Sequence, residues 1–467
     1  MTNTTSEPVA GSSAEHQGWM YLGLTSFVAT LGGLLFGYDT AVIAGAIGFL
    51  RERFSLTPGQ EGWAAASALA GCVLGAALAG TISDHLGRRR MLLIAAVLFF
   101  VSAVGTAIPP TLFWFDLFRL VGGIGVGAAS MCSPMYIAEI SPARIRGRMV
   151  SLNQFAIVFG MLAVYFVNYY IASLGDQPWN VETGWRWMFG SEAIPALGLL
   201  LLLLLVPESP RWLTQQGRRD EAVAVLTRIN GPTQARREIA EIEVAIASES
   251  SSLGQLLQPG MRVALGIGVV LAVLQQVTGI NVFLYFAPEI FKSLAGAESG
   301  AALLETIVVG AVNMLFTVVA IWTVDRWGRK PLMLVGYSGM AVCLLFLGLA
   351  AYFQRTDVWV LVFMLGYIAS FALSVGPVTW VILAEIFPTR IRGRAMAIAT
   401  VCLWTANLAI SQTFPMLDKN EWLIARFQHA FPFWLYGAFC LVAIIVVSGW
   451  VPETKGRTLE EIEKTWL

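Results

Sequence analysis

Twelve runs of this chain, each about 18 residues or longer, are apolar enough to lie in lipid, and that leaves few folds open. They cover 19–47, 63–82, 91–108, 112–138, 149–172, 187–206, 263–291, 302–324, 332–353, 358–384, 395–416 and 430–451. In hydrocarbon every backbone amide must find a partner within the chain, so runs of this kind form helices. Composition agrees, because 57% of the 467 residues are hydrophobic and only 13% are charged, outside the soluble globular range. The expected fold class is an all-α integral membrane protein with 12 transmembrane helices.

Of the 30 Lys and Arg, 22 fall in the connections after even-numbered segments and in the C-terminal stretch, 7 fall on the other side, and Arg119 lies inside a segment. The positive-inside rule therefore predicts both termini on the cytoplasmic side. Residues 1–18 lack a basic n-region and a cleavage pattern, so they read as a cytoplasmic tail. The lipid bilayer is the surrounding partner, no nucleic-acid partner is expected, and the chain is expected to act as a monomer.

Three motifs recur at nearly one offset. Asp84-His-Leu-Gly-Arg-Arg matches Asp325-Arg-Trp-Gly-Arg-Lys, 241 residues on. Glu139-Ile-Ser-Pro-Ala-Arg-Ile-Arg-Gly-Arg matches the motif starting at Glu385, and Pro207-Glu-Ser-Pro-Arg matches Pro452-Glu-Thr-Lys-Gly, at offsets of 246 and 245. The chain is thus read as two six-helix halves, 19–206 and 263–451, followed by a tail at 452–467. Between the halves, 207–262 carries apolar residues at helical spacing among charges, which predicts short cytoplasmic surface helices. Positive-inside anchoring explains the arginines of the paired motifs but not their repeated acids. Asp84, Arg88, Glu139, Arg146, Glu208 and Arg211, with Asp325, Arg329, Glu385, Arg392 and Glu453 in the second half, are expected to form a breakable cytoplasmic latch between the halves.

The stretch from Leu274 to Tyr285 puts Gln275, Gln276 and Asn281 at membrane depth, where an unpaired amide costs several kcal/mol. At about 100° per residue these three and Tyr285 spread over an arc of about 220°, too wide for one face of a regular helix. Thr278 and Gly279 offer a place to unwind, which lipid permits only beside a cavity. The implied ligand is a neutral, hydroxyl-rich solute.

Asp39 and Arg119 are charges within segments, so they are expected to pair across two helices. A fixed pair would only hold the helices together; protonating Asp39 would instead free Arg119 and bias a two-state motion. One proton moving through 100 mV gains about 2.3 kcal/mol, enough for roughly 50-fold accumulation of a neutral solute. Gly37-Tyr-Asp39 also aligns with Gly279-Ile-Asn281 at an offset of 242. Further polar groups at depth are Gln154, Asn313, Trp380 and Trp404, and Gly376-Pro377 predicts a break beside Trp380. A tryptophan there can stack on a sugar ring and donate its N–H.

Asp84-x-x-Gly-Arg-Arg, Asp325-x-x-Gly-Arg-Lys, Pro207-Glu-Ser-Pro-Arg, Gln275-Gln276-x-x-Gly-Ile-Asn281, Gly376-Pro-x-x-Trp380 and Pro452-Glu-Thr-Lys-Gly together resemble the sugar porter family of the major facilitator superfamily, over nearly the whole chain. The resemblance implies alternating access, with Gln154, Gln275, Gln276, Asn281, Tyr285, Asn313, Trp380 and Trp404 at a monosaccharide and Asp39 with Arg119 at a proton. Facilitative members look to carry asparagine where this chain has Asp39, so the acid favours symport over a uniporter. Met161 and Leu403 stand where the xylose-transporting branch looks to have glutamines; two lost amides make one wall more apolar, which admits the hydroxymethyl group of a hexose or weakens xylose binding, and D-xylose and D-glucose are the joint candidate substrates.

The expected function is a proton-coupled monosaccharide symporter of a bacterial inner membrane, with protons as the coupling ion and no bound cofactor. A transporter-like sugar sensor would need a long signalling tail, and only 452–467 follows the last segment. No P-loop, nucleophile and base pair, or metal cluster stands out, so neither an ATP-driven pump nor an enzyme is expected. Cys72, Cys132, Cys343, Cys402 and Cys440 show no paired spacing and are assigned to packing.

Overall fold

The computed structural model describes residues 10–142, 145–248, 258–296, 298–354, 358–387 and 392–455. The first half comprises α1 (Ala10–Phe54), α2 (Pro58–Leu86), α3 (Arg88–Ala107), α4 (Leu112–Ile140), α5 (Arg146–Ser173), α6 (Gln177–Trp179), α7 (Trp185–Gly190) and α8 (Ala193–Leu202). Helices α9 (Pro210–Gln215), α10 (Arg219–Asn230) and α11 (Pro232–Ser248) connect the halves. The second half comprises α12 (Pro259–Val277), α13 (Ile280–Tyr285), α14 (Ala287–Ala295), α15 (Ser299–Trp327), α16 (Arg329–Tyr352), α17 (Trp359–Ser370), α18 (Gly376–Ile386), α19 (Arg392–Asp418), α20 (Glu421–Phe427) and α21 (Phe431–Trp450).

Among the described residues, eleven stretches of helix are long and apolar enough to cross a bilayer. The remaining apolar segment, 187–206, is helical in two pieces, because the chain turns at Ser191–Glu192 between α7 and α8. Neither piece spans hydrocarbon alone, yet together they follow the segment read from the sequence. Helix α1 starts at Ala10, so the helix reaches back into the stretch read as a tail.

Two breaks fall where the sequence demands them. Gly279 adopts φ +90°, and a Cβ there would come within 2.5 Å of Tyr436 Cδ2, so only glycine fits this left-handed joint between α12 and α13. Before Pro377 the helix that runs from Trp359 to Ile386 widens into a π-helical turn over Phe371–Val375, the irregularity expected where a proline lacks its N–H.

Within the first half α2 packs on α4 and α1 on α5; between the halves α2 meets α19 and α5 meets α15. Glycines permit the tightest crossings: a Cβ on Gly123 would meet Ala68 O at 1.8 Å, and one on Gly37 would meet Ile157 O at 1.9 Å. Helices α9, α10 and α11 enclose their own small core of Trp212, Leu213, Ala222, Leu226, Ala235 and Ile239. This core is the surface unit that the amphipathic spacing predicts, and Arg228 lies over the Tyr21 ring of α1.

Candidate functional site

Asp39 sits on α1 with no exposed surface, and Arg119 on α4 is 1% exposed. Arg119 Nη1 donates to Asp39 Oδ1 at 2.5 Å and to the Asp39 carbonyl at 3.1 Å. Gly122 makes room on α4, since a Cβ there would meet Ser102 Oγ at 2.4 Å and Asp39 Oδ1 at 3.4 Å. The Phe189 ring lies 5.4 Å from the guanidinium carbon. The expected pair is thus present and dry.

A third ionisable group joins it. Glu192, at the turn between α7 and α8, is 1% exposed, and its carboxyl lies within hydrogen-bonding reach of Asp39. Asp39 Oδ2 and Glu192 Oε1 are both buried with no donor facing them among the described residues. Two buried carboxyls thus face one space with a single guanidinium beside them. Tyr38, next to Asp39, ties α1 to the same turn through a 2.7 Å bond to Ser191 Oγ. Glu192 was missed at the sequence level although it lies in segment 187–206, where the rule that picked out Asp39 applies equally.

The amides form a relay at the broken helix. Asn281 Nδ2 donates to Gln276 Oε1 at 2.6 Å, Gln276 Nε2 to Gln275 Oε1 at 3.2 Å, and Gln275 Nε2 to the carbonyls of Val375 and Gly376 at 3.2 and 3.0 Å. The relay from the Gly279 joint thus ends on carbonyls at the close of the π-helical turn. Tyr367 donates its hydroxyl to Thr278 O at 2.9 Å and holds the other side of the joint.

Tyr285 is buried, and Asn407 Nδ2 on α19 reaches its hydroxyl at 3.4 Å. Trp404 lies one turn earlier on α19, 4% exposed, with its N–H buried and without an acceptor among the described residues, and its ring is 5.5 Å from Phe36 of the first half. Tyr165 of α5 donates to Leu284 O at 2.8 Å, a second link across the halves. Asn407 was overlooked although it is an amide at membrane depth; Tyr165 gave no signal at all, because its partner is a backbone carbonyl.

Gln154 is half-buried on α5, seven residues before Met161 and thus on the same face. Asn313 is 5% exposed on α15, and Trp380 is half-buried one turn beyond the α18 restart. Among the described residues, none of these three hydrogen-bonds to the amide relay. Met161 is 7% exposed and Leu403 is 3% exposed, so both are core residues where amides were the alternative.

The charged motifs assemble at one end, each copy within its own half. Arg88 grips Glu139 through Nε and Nη2 at 3.1 and 3.2 Å, and Asp84 at 2.9 Å. Arg329 grips Glu385 at 2.9 and 3.3 Å. Glu208 accepts the N–H groups of Arg88 and Arg89 at the start of α3, and Glu453 those of Arg329 and Lys330 at the start of α16. The carboxylates occupy helix N-termini, which favour negative charge.

The bridging expected between the halves is not what these pairs do, because each arginine opens the helix packed beside the one carrying its glutamate. Arg146 is exposed at the start of α5 and makes no ion pair among the described residues. Arg392 donates Nε to Phe387 O at 3.2 Å, and Arg211 is half-buried in α9. The side chain of Asp325 lies outside the described residues.

The sequence model of the family described as "Sugar (and other) transporter" matches residues 25–466. The D-xylose-proton symporter of Escherichia coli (strain K12) is 50% identical, over 96% of each chain. The arabinose-proton symporter of Bacillus subtilis (strain 168) is 44% identical, over 95% of each. A solved structure of the major facilitator superfamily proton:xylose symporter XylE bound to 6-bromo-6-deoxy-D-glucose superposes with a TM-score of 0.83 at 49% identity, covering 96% of this chain and all of that one.

Proposed function

The chain belongs to the sugar transporter family of the major facilitator superfamily, and from that premise we propose that it is a proton-coupled monosaccharide symporter working by alternating access. It is a multi-pass membrane transporter and not an enzyme. The observation that carries the reading is the Asp39, Arg119 and Glu192 group, sealed from water beside the helix pair that holds the amide relay.

Protonation of Asp39 releases Arg119 from its tight bond and removes the charge repulsion between the Asp39 and Glu192 carboxyls. Because α1 also meets α13 and α14 in the second half, a change in its tilt reaches the sugar side directly. The sugar is held by Gln275, Gln276 and Asn281 with Gln154 and Asn313, and is flanked by the rings of Trp380, Trp404 and Tyr285. No bound cofactor enters the cycle; the proton is the coupling ion.

The two rigid bodies are 19–206 and 263–451. The chain is a monomer of a bacterial inner membrane with both termini cytoplasmic, the orientation set by its positive charges. A facilitative uniporter is the second reading, and the ionisable Asp39 weighs against it.

Buried Met161 and Leu403 give the pocket an apolar wall that suits a hydroxymethyl group, so D-glucose competes with D-xylose as substrate. A competition panel of pentoses and hexoses against labelled D-xylose and D-glucose, in proteoliposomes with and without a pH gradient, tests both points. Uptake of one of the two sugars that rises with the gradient supports the reading. Absence of uptake and competition for both sugars overturns it.

A further inference from the structure

At the end of the molecule opposite the paired motifs, five charged side chains alternate in sign along one line. Lys292 Nζ donates to Glu289 Oε1 at 3.0 Å, Arg51 Nη1 donates to Glu289 Oε2 at 2.5 Å and to Glu61 Oε1 at 3.4 Å, and Lys419 Nζ closes on Glu61 Oε2. Lys292 and Glu289 stand on α14, Arg51 on α1, Glu61 on α2, and Lys419 just past α19. The line therefore starts in the second half, passes through the first and returns to the second.

Its two carboxylates are buried where the halves meet, the Glu61 side chain 2% exposed and that of Glu289 13% exposed, while the three cations reach the surface. Beside it the backbones of α2 and α19 touch. Gln412 Nε2 donates to Gly59 O at 2.9 Å, and a Cβ on Gly62 would come within 2.2 Å of Gln412 O. A cavity of about 370 Å³, lined by Arg51, Glu61, Glu289 and Lys419 together with Phe286 and Phe414, opens at this point.

The division of charge between the halves makes the arrangement reversible. When the halves part, Arg51 keeps Glu61 on its own side and Glu289 keeps Lys292, while Lys419, a third exposed already, turns to water. Separation then strands no buried charge, which is the costly way to break an ion pair. Neither half needs to recruit a new partner.

We propose that this alternating line is the lock of the outer gate: the cross-half bonds Arg51–Glu289 and Glu61–Lys419 hold the path shut on that side and set the balance between inward- and outward-facing states. At the opposite end the pairs Arg88–Glu139 and Arg329–Glu385 each close within one half. The proposal rests on the alternating-access reading for what the gate admits, but the lock itself can be read without transport.

Spin labels on cysteines introduced at Gln60 and Glu421, exposed positions on the two sides of the line, report the separation of the halves in lipid. Arg51→Gln and Lys419→Gln each remove a cross-half bond, and the population at long distance is expected to rise roughly five- to thirty-fold. Lys292→Gln removes a bond internal to one half and is expected to leave that population unchanged or smaller, since Glu289 then turns wholly to Arg51. Unchanged distances in both Arg51→Gln and Lys419→Gln overturn the lock. So does Lys292→Gln opening the gate as far as Lys419→Gln, because the line would then only stabilise its helices. A shift of the expected kind in a protein that takes up no sugar keeps the lock and overturns symport instead.

Discussion

The two halves repeat one another closely at the motif end and part company in the middle of the membrane. At the motif end Gly87 and Gly328 share φ near +95° and ψ of 159°, each against a carboxylate, Glu208 or Glu453, that would touch an added Cβ. Arg88 and Arg329 both grip a glutamate and the carbonyl five residues back, and Ser209 and Thr454 both donate to that same glutamate. In mid-membrane the matching positions are Asp39, which meets Arg119 and Glu192, and Asn281, which meets Gln276. The shared cluster ties down the starts of α3 and α16. The divergent position is where the proposed chemistry divides, an ionisable carboxyl in one half and an amide in the other.

Asp39→Asn, which makes the first half carry the residue of the second, should produce the largest effect. Accumulation driven by 100 mV is expected to fall from as much as roughly 50-fold to about unity. Sugar exchange at equilibrium should persist, because the amide relay is untouched; counterflow in proteoliposomes measures the exchange, and uptake under an imposed membrane potential measures the accumulation. Uphill uptake that survives the substitution removes Asp39 from the proton's path.

Next comes the joint that only the second half possesses. Gly279→Ala forces a side chain into a left-handed conformation and against Tyr436, and should cost about 2 kcal/mol or more of stability. Tyr436→Ala in the same chain should recover the part due to the clash but not the part due to φ. Thermal unfolding in detergent separates the two.

The paired glutamates sharpen the likeness itself. Glu139 is 9% exposed and Glu385 is 23% exposed, so the first copy is the drier. Glu139→Gln is expected to cost about 3 kcal/mol, as removing one partner of a buried pair does. Glu385→Gln should cost about 1 kcal/mol, because water screens its arginine better. Equal losses would mean that the two copies are energetically as well as geometrically alike.

The smallest effect is a pH dependence at the opposite end. The hydrogen bond from His429 Nδ1 to Asp418, at 3.0 Å, raises the His429 pKa above its ordinary 6.5. A histidine whose pKa is higher folded than unfolded stabilises the protein fully below the unfolded value. That contribution fades as pH rises through the folded value. The melting temperature should therefore decline slightly as pH rises from 6.5, and His429→Gln should flatten the decline.

Much of this was legible beforehand. The break at Gly279 and the kink before Pro377 follow from local rules: one residue alone tolerates positive φ, the other lacks an N–H. The Asp39–Arg119 pair followed from the expense of a lone charge in lipid. The relay from Asn281 through Gln275 to Val375 did not, because its last acceptors are backbone carbonyls a hundred residues away. A carbonyl leaves no mark in the sequence.

The arginine motifs are the instructive miss. Their residues and their end of the molecule were readable, but the partners were assigned across the halves when they lie within each. Sequence by itself determined the number of apolar segments, their duplication, the sites where helices must break and the charges that lipid will not leave alone, all of which are properties of one residue and its near neighbours. Only the tertiary structure decided which carboxylate each arginine meets, that Glu192 stands beside Asp39, and that Arg51 and Lys419 fasten one half to the other. Those choices depend on which helices pack side by side, and the pairing of helices is fixed by contacts far apart in the chain.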